Sequence, residues 1–176
     1  MDDQKLIAKC NSGNRLAQRQ LYERYAGRLF AVCLRYLQRE DAEDALANAW
    51  VKIFRSLSKF RGDSSLSTWM TRIAVNECLM MLRGKNTFFE QVSETHDINN
   101  AILDDDGSDE QQLLQFIAEL PVGFRTVFNL YAIEGYTHKE IATMLNISEG
   151  TSKSQLSRAR NILKKKVEQN IFNYER

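Results

Sequence analysis

Proline is almost absent from this chain: Pro121 is the only one in 176 residues. Elsewhere no proline interrupts a helix. Cysteine is limited to Cys10, Cys33 and Cys78, and histidine to His96 and His138. Three widely spaced cysteines without a CxxC pair build neither a disulfide framework nor a zinc site; they read as reduced, buried thiols of a cytosolic protein. Neither histidine has neighbours suited to a metal. No apolar run approaches the roughly 20 residues of a membrane span. The opening MDDQKLIAKC has no signal-peptide core. A phosphate-binding glycine loop and a nucleophile elbow are missing too. The tract DDDGSDE has the acids of a calcium loop, but aligning Gly107 to the loop glycine puts Ile102 and Leu113 where ligands are required. The expectation is a cytoplasmic protein with no membrane insertion, no metal, no cofactor and no catalytic residue.

What remains is helix. Hydrophobic residues make up 43% of the chain, enough for a core, and the length suits one domain or two small ones. Strand signals are scarce, and apolar positions recur every three or four residues. A short helix near Gln4–Cys10 ends at the turn Asn11-Ser12-Gly13-Asn14. A longer one repeats Leu21/Tyr22, Tyr25, Leu29, Val32/Cys33 and Tyr36. A third runs from about Asp41 to Ser58 on Ala45/Leu46, Ala49/Trp50, Ile53/Phe54 and Leu57, with early acids and late bases matching the helix dipole. After the break Phe60–Ser65, a fourth spans Thr68–Arg83 with Trp69, Ile73, Ala74, Cys78 and Leu82 in its apolar row. That row makes Trp69 a core residue rather than a stacking platform. Pro121 opens a helix expected over Val122–Glu134 and closed by Gly135.

The fold class is all-α: two small helical domains, 1–84 and 113–176, joined by a flexible acidic linker, 85–112. The linker holds eight acids against one base, an asymmetry hidden behind a net charge of only +1. Extended, its 28 residues would reach roughly 90–100 Å. As a coil they would average about 30 Å, close to the roughly 34–36 Å of one DNA turn.

Residues 135–166 read as a helix-turn-helix. Thr137 and Glu140 form a capping box, with Tyr136 and Ile141 placed as its hydrophobic staple. Ile141, Ala142 and Leu145 share one face. Asn146 tolerates the turn, Ile147 can pack inward, and Ser148 can cap the next helix. That helix continues the apolar face with Leu156, Ala159 and Leu163. From Ser152 to Lys166 it carries six basic residues and no acid, the charge expected of a helix that enters a DNA groove.

Four segments in order, DAEDALANAWVKIFRSL (41–57), FRGDSSLSTWMTRIAVN (60–76), LPVGFRTVFNLYAIEGYTHKEIA (120–142) and GTSKSQLSRAR (150–160), make the chain resemble an extracytoplasmic-function sigma factor. These are the small two-domain transcription initiation factors of the sigma-70 family, and the likeness covers nearly the whole sequence. It implies that the first domain binds a coiled coil of core RNA polymerase through Asp41, Asp44, Asn48 and Lys52. The same domain would engage the minus-10 promoter element through Phe60, Arg61, Asp63, Ser64, Arg72, Asn76, Arg83 and Lys85, with Asn76 at the base pocket. The second domain would read the minus-35 element through Thr151, Lys153, Ser154, Gln155, Arg158 and Arg160. Core polymerase, promoter DNA and an anti-sigma factor are the implied partners.

Physical chemistry is consistent with that assignment. Extruding a base costs a few kcal/mol, which a protein offsets by holding the separated strand in a basic groove with a polar group to read a base edge. Arg61, Arg72, Arg83 and Lys85 supply charge, and the Asn76 amide both a donor and an acceptor. The sequence departs from the family pattern at Ala47-Asn48 (usually Gln-Glu), Trp50 (usually Phe), Ser152 (usually a buried Val) and Gln155 (usually Arg). Ser152 falls on the inward row, so Ser152→Val is expected to stabilise the domain. Gln155 is expected to favour adenine where arginine favours guanine. An autonomous helix-turn-helix regulator explains the second half equally well, and an antagonist mimicking a sigma factor would bind polymerase without supporting initiation. The first half, 41–76, has a purpose only where polymerase is a partner.

Overall fold

The computed structural model describes residues 2–84 and 109–174, and all their regular structure is helical. Lys85 and all but the last four residues of the expected linker lie outside the described residues. The chain forms two compact units, Met1–Met81 and Leu82–Arg176.

The first unit contains α1 (Asp3–Asn11), α2 (Arg15–Leu34), α3 (Arg39–Ser56), a 3-10 turn (Leu57–Lys59) and α4 (Leu66–Gly84). The turn before α2 forms as its residues dictate: Gly13 has φ +79°, and the Asn14 side chain accepts from the Ala17 amide at 3.0 Å. Asp3 ties α1 to α2 by accepting from Arg24 and from the Tyr25 hydroxyl, each at 2.9 Å. On α3 the inward row is small, Ala42, Ala45 and Ala49, then Ile53 and Leu57, all buried. Trp50 is buried with it, its ring 5.0 Å from that of Tyr22 and 5.4 Å from that of Phe54.

Helix α4 starts two residues earlier than its apolar row implies because Ser65 caps it, accepting from the Thr68 amide at 3.1 Å. Its buried row is Leu66, Met70, Ala74, Cys78 and Leu82, flanked by Val75 and Leu79. Trp69 is therefore not a core residue. It lies about 100° around the helix from Met70, half-buried, with its ring 5.4 Å from Phe60. Cys33 of α2 and Cys78 of α4 are both buried, and their thiols hydrogen-bond to each other. That bond and burial push the Cys78 thiol far above the usual range, so it stays protonated.

The second unit contains α5 (Asp109–Ala118), α6 (Val122–Phe128), a π-helical turn (Asn129–Ile133), α7 (His138–Leu145) and α8 (Glu149–Tyr174). Helix α5 was not foreseen, and its first turn uses the last four residues of the expected linker. Its row Ile117/Leu120 meets Ala159 and Leu163 of α8, with Phe116, Phe124, Phe128 and Ile162 packed around them. Arg125 is buried and donates from Nη1 to the carbonyl oxygens of Ala118 at 2.7 Å and Leu120 at 3.5 Å. The guanidinium thus closes the end of α5 against α6. Where one regular helix was expected over 122–134, the last turn is wide: the Glu134 amide donates to the Asn129 carbonyl at 2.9 Å, five residues back. Gly135 then reverses the chain with φ +78°.

Candidate polymerase and nucleic-acid interfaces

In the second unit the helix-turn-helix forms from local chemistry. The capping box is complete: Glu140 Oε2 accepts from the Thr137 amide at 2.8 Å, and Thr137 Oγ1 accepts from the Glu140 amide at 3.3 Å. Asn146 takes the left-handed conformation, φ 55° and ψ 47°, at the turn. Ser148 Oγ accepts from the Thr151 amide at 2.9 Å and starts α8.

Helix α8 then has two faces. Ser152, Leu156, Ala159 and Leu163 are buried, while Lys153, Ser154, Arg158 and Arg160 are exposed and Thr151 is half-buried. The expected DNA face and the core face are therefore separated by the helical repeat itself. Arg160 lies 5.6 Å from the centroid of the Tyr131 ring, a cation–π contact that fixes its direction. Gln155 differs from the rest. It is half-buried against Gly123 of α6, and its Oε1 is buried without a hydrogen-bond donor among the described residues.

Ser152 is inward, as its register implies, but it is not a valine substitute. Its Oγ lies 2.9 Å from His138 Nδ1, and the His138 ring stacks on Tyr131 with centroids 4.5 Å apart. The expected gain from Ser152→Val is reversed by this contact, because the histidine on α7 would lose its partner.

The three terminal lysines of the basic run also divide. Lys166 pairs with Glu119 of α5 and lies 5.6 Å from the Phe116 ring centroid, whereas Lys164 is 3.8 Å from Glu168 and Lys165 is exposed. Lys166 thus holds α8 to α5. Lys166→Ala should leave the salt dependence of minus-35 binding unchanged, whereas Lys153→Ala and Arg158→Ala should each flatten the slope by about one unit. Titrating salt against holoenzyme binding to a minus-35 duplex checks this, and a flattened slope for Lys166→Ala would place that lysine on phosphate instead.

In the first unit, Asp41, Asp44, Asn48 and Lys52 form one stripe on α3, opposite the alanine row. Asp44 and Asn48 are exposed and Asp41 is half-buried. Lys52 is already engaged: its Nζ is 2.6 Å from Glu77 Oε1 on α4. In the loop between α3 and α4, Gly62 has φ +79°, Arg61 pairs with Asp63 at 2.8 Å, and Phe60 lies against Trp69. Ser64 is half-buried there, its hydroxyl 3.3 Å from the Ser65 carbonyl. Arg72, Asn76 and Arg83 are exposed on α4, at spacings that keep them off its buried row.

Asn76 opens into a groove of about 440 Å³ between α3 and α4, lined also by Lys52, Arg55, Lys59, Glu77 and Met80. Arg55, Lys59 and Glu77 were not singled out from the sequence. The basic spacing 52/55/59 was the available signal, since it places three cations along one face as the helix ends. The groove thus brings Lys52 beside Asn76, two residues the resemblance gives to different partners.

Comparison with known proteins matches this arrangement. The Sigma-70 region 2 description matches residues 21–87, and Sigma-70, region 4 matches residues 110–163. The RNA polymerase sigma-H factor of Pseudomonas aeruginosa is 30% identical over 94% of each chain. The ECF RNA polymerase sigma-E factor of Haemophilus influenzae is 28% identical over 96% of each. Two solved structures share the fold. CnrH, in complex with the cytosolic domain of CnrY, is 24% identical over 95% of this chain and 97% of that one, with a TM-score of 0.52. The sigma factor RpoE of Bartonella quintana, in complex with the anti-sigma factor NepR, is 22% identical over 85% and 96%, with a TM-score of 0.54. With both regions matched in order, and relatives aligned over almost their whole length, the chain belongs to the extracytoplasmic-function group of the sigma-70 family, non-enzymatic factors through which RNA polymerase recognises promoters and starts transcription.

Proposed function

We propose how the work is divided along the chain. Residues 1–84 dock on core polymerase through Asp41, Asp44 and Asn48 of α3 and hold the opened minus-10 strand through the loop 60–65 and α4. Residues 113–176 read the minus-35 element through the exposed face of α8, and residues 85–112 join the two. The observation that carries this reading is the placement of Asn76 in a groove lined by Lys52, Arg55 and Lys59. A cationic groove favours the separated strand over water, and an exposed amide can pair with one base edge at a time. Arg72 and Arg83 extend the charge along α4.

On α8, Lys153, Arg158 and Arg160 supply phosphate contacts, and Thr151 and Ser154 add hydroxyls near the helix start. Gln155 reads a base after swinging away from Gly123. A buried carbonyl oxygen without a donor costs about 1–3 kcal/mol, so the inward position holds the side chain weakly. Gln155→Arg is expected to move the preferred base at one minus-35 position from adenine to guanine, by roughly tenfold given 1–3 kcal/mol per bidentate pair. Selection from a randomised minus-35 library measures this, and an unchanged preference would remove Gln155 from the reading face.

The protein works in the cytoplasm, where polymerase and promoter are. CnrH and RpoE are seen with CnrY and NepR; by analogy an anti-sigma factor restrains this chain too. The defining experiment adds the purified chain to core polymerase on linear promoter fragments. Run-off RNA from the correct start is the expected result, and tight operator binding without polymerase, with no transcript, would make the chain an autonomous regulator.

A further inference from the structure

We propose that Lys52 and Glu77 act as a pair in the wall of the Asn76 groove, with Lys52 the counter-ion of a groove carboxylate rather than a contact for polymerase. The inference rests on the reading of that groove as the site of the opened strand. Glu77 follows Asn76 directly on α4, lines the same groove, and leaves only 7% of its side chain exposed. Lys52 reaches across from α3 to place Nζ 2.6 Å from Glu77 Oε1 and 3.7 Å from Met80 Sδ. A carboxylate in a groove built for a polyanion repels its ligand unless a cation sits on it. Lys52 cancels that charge and leaves Arg55 and Lys59 as the net attraction. The bridge also joins α3, which carries the polymerase stripe, to α4 one residue from the base-reading amide. Glu77 is therefore a positioning residue for Asn76, and it acts through Lys52.

The pair predicts a non-additive pattern. Removing one partner of a half-screened ion pair leaves the other charge uncompensated, whereas removing both is milder. In holoenzyme on a linear promoter, with opening read by permanganate reactivity at the minus-10 element, Lys52→Met should reduce open complexes about tenfold. Glu77→Gln should cost about twofold, and Lys52→Met combined with Glu77→Gln should recover most of the tenfold loss. Lys52→Arg should behave as the parent. The charge swap Lys52→Glu with Glu77→Lys should open better than either single reversal, which keeps the test informative if Lys52→Met folds poorly.

Losses that multiply in the double variant would overturn the pairing. So would a Lys52→Met defect that lies wholly in core-polymerase affinity and is unrelieved by Glu77→Gln. Asn76→Ala is measured in parallel. If it opens promoters normally, the groove reading falls and this inference with it. If it is defective while the Lys52 and Glu77 losses are additive, only the pairing falls.

Discussion

Arg125→Ala is expected to destabilise the second unit by about 3 kcal/mol, with little effect on the first. The residue is 3% exposed and its Nη1 bonds the carbonyls of Ala118 and Leu120. Hydrogen bonds from a charged donor contribute about 1.5–3 kcal/mol, and the truncation also leaves a void among buried neighbours. At roughly 4–8 °C per kcal/mol for a domain of 60–100 residues, the midpoint should fall by more than 10 °C. The chain provides its own control. Both tryptophans, Trp50 and Trp69, lie in the first unit, so their fluorescence reports that unit alone while far-UV circular dichroism reports both. The expected melt shows helix lost at low temperature with no change in tryptophan emission, followed by the parental transition. Coincident transitions at the parental temperature would show that the α5–α6 corner stands without the guanidinium.

The second large effect concerns Ser152. Valine here should cost about 2 kcal/mol, opposite in sign to the expectation from helical register alone. A methyl would be forced to within about 3 Å of His138 Nδ1, which is overpacking, and the imidazole would lose its hydrogen bond. Substituting both partners with apolar residues, Ser152→Val with His138→Leu, should recover at least half of the loss, since neither is then left unpaired. A double-mutant cycle on thermal stability measures the coupling. Zero coupling, or a Ser152→Val variant more stable than the parent, would make the contact incidental. Because His138 stacks on Tyr131 and Tyr131 holds Arg160, the single variant should also weaken minus-35 binding beyond its effect on folding.

These two sites show what the sequence could and could not disclose. The capping box, the left-handed Asn146 and the Ser148 cap were legible because each partner lies within four residues. The two-faced character of α8 was legible because a repeat of 3.6 sorts residues without any knowledge of their neighbours. Ser152 was correctly placed inward, but its partner lies 14 positions away on another helix. Lys52 was given to polymerase because its stripe is visible along α3, whereas Glu77 stands 25 residues on. The pairing of Lys166 with Glu119 spans 47 residues. Such contacts depend on how helices cross, and periodicity carries no record of crossing. Trp69 shows the opposite error: an apolar row read on its own was shifted by one residue, since Ser65 and Leu66 begin α4 earlier and Met70 occupies the centre of the buried face.

The wide turn at Asn129–Ile133 has a consequence for how this protein could change over time. A five-residue hydrogen-bonded loop holds one residue more than regular winding needs. Deleting that residue would close the turn to ordinary pitch and rotate everything downstream by about 100° relative to Phe128. Tyr131 would leave His138, and the reading helix would offer a different edge to the duplex. Promoter choice could thus be reset by a single-codon gain or loss here, with every base-contacting side chain left unaltered.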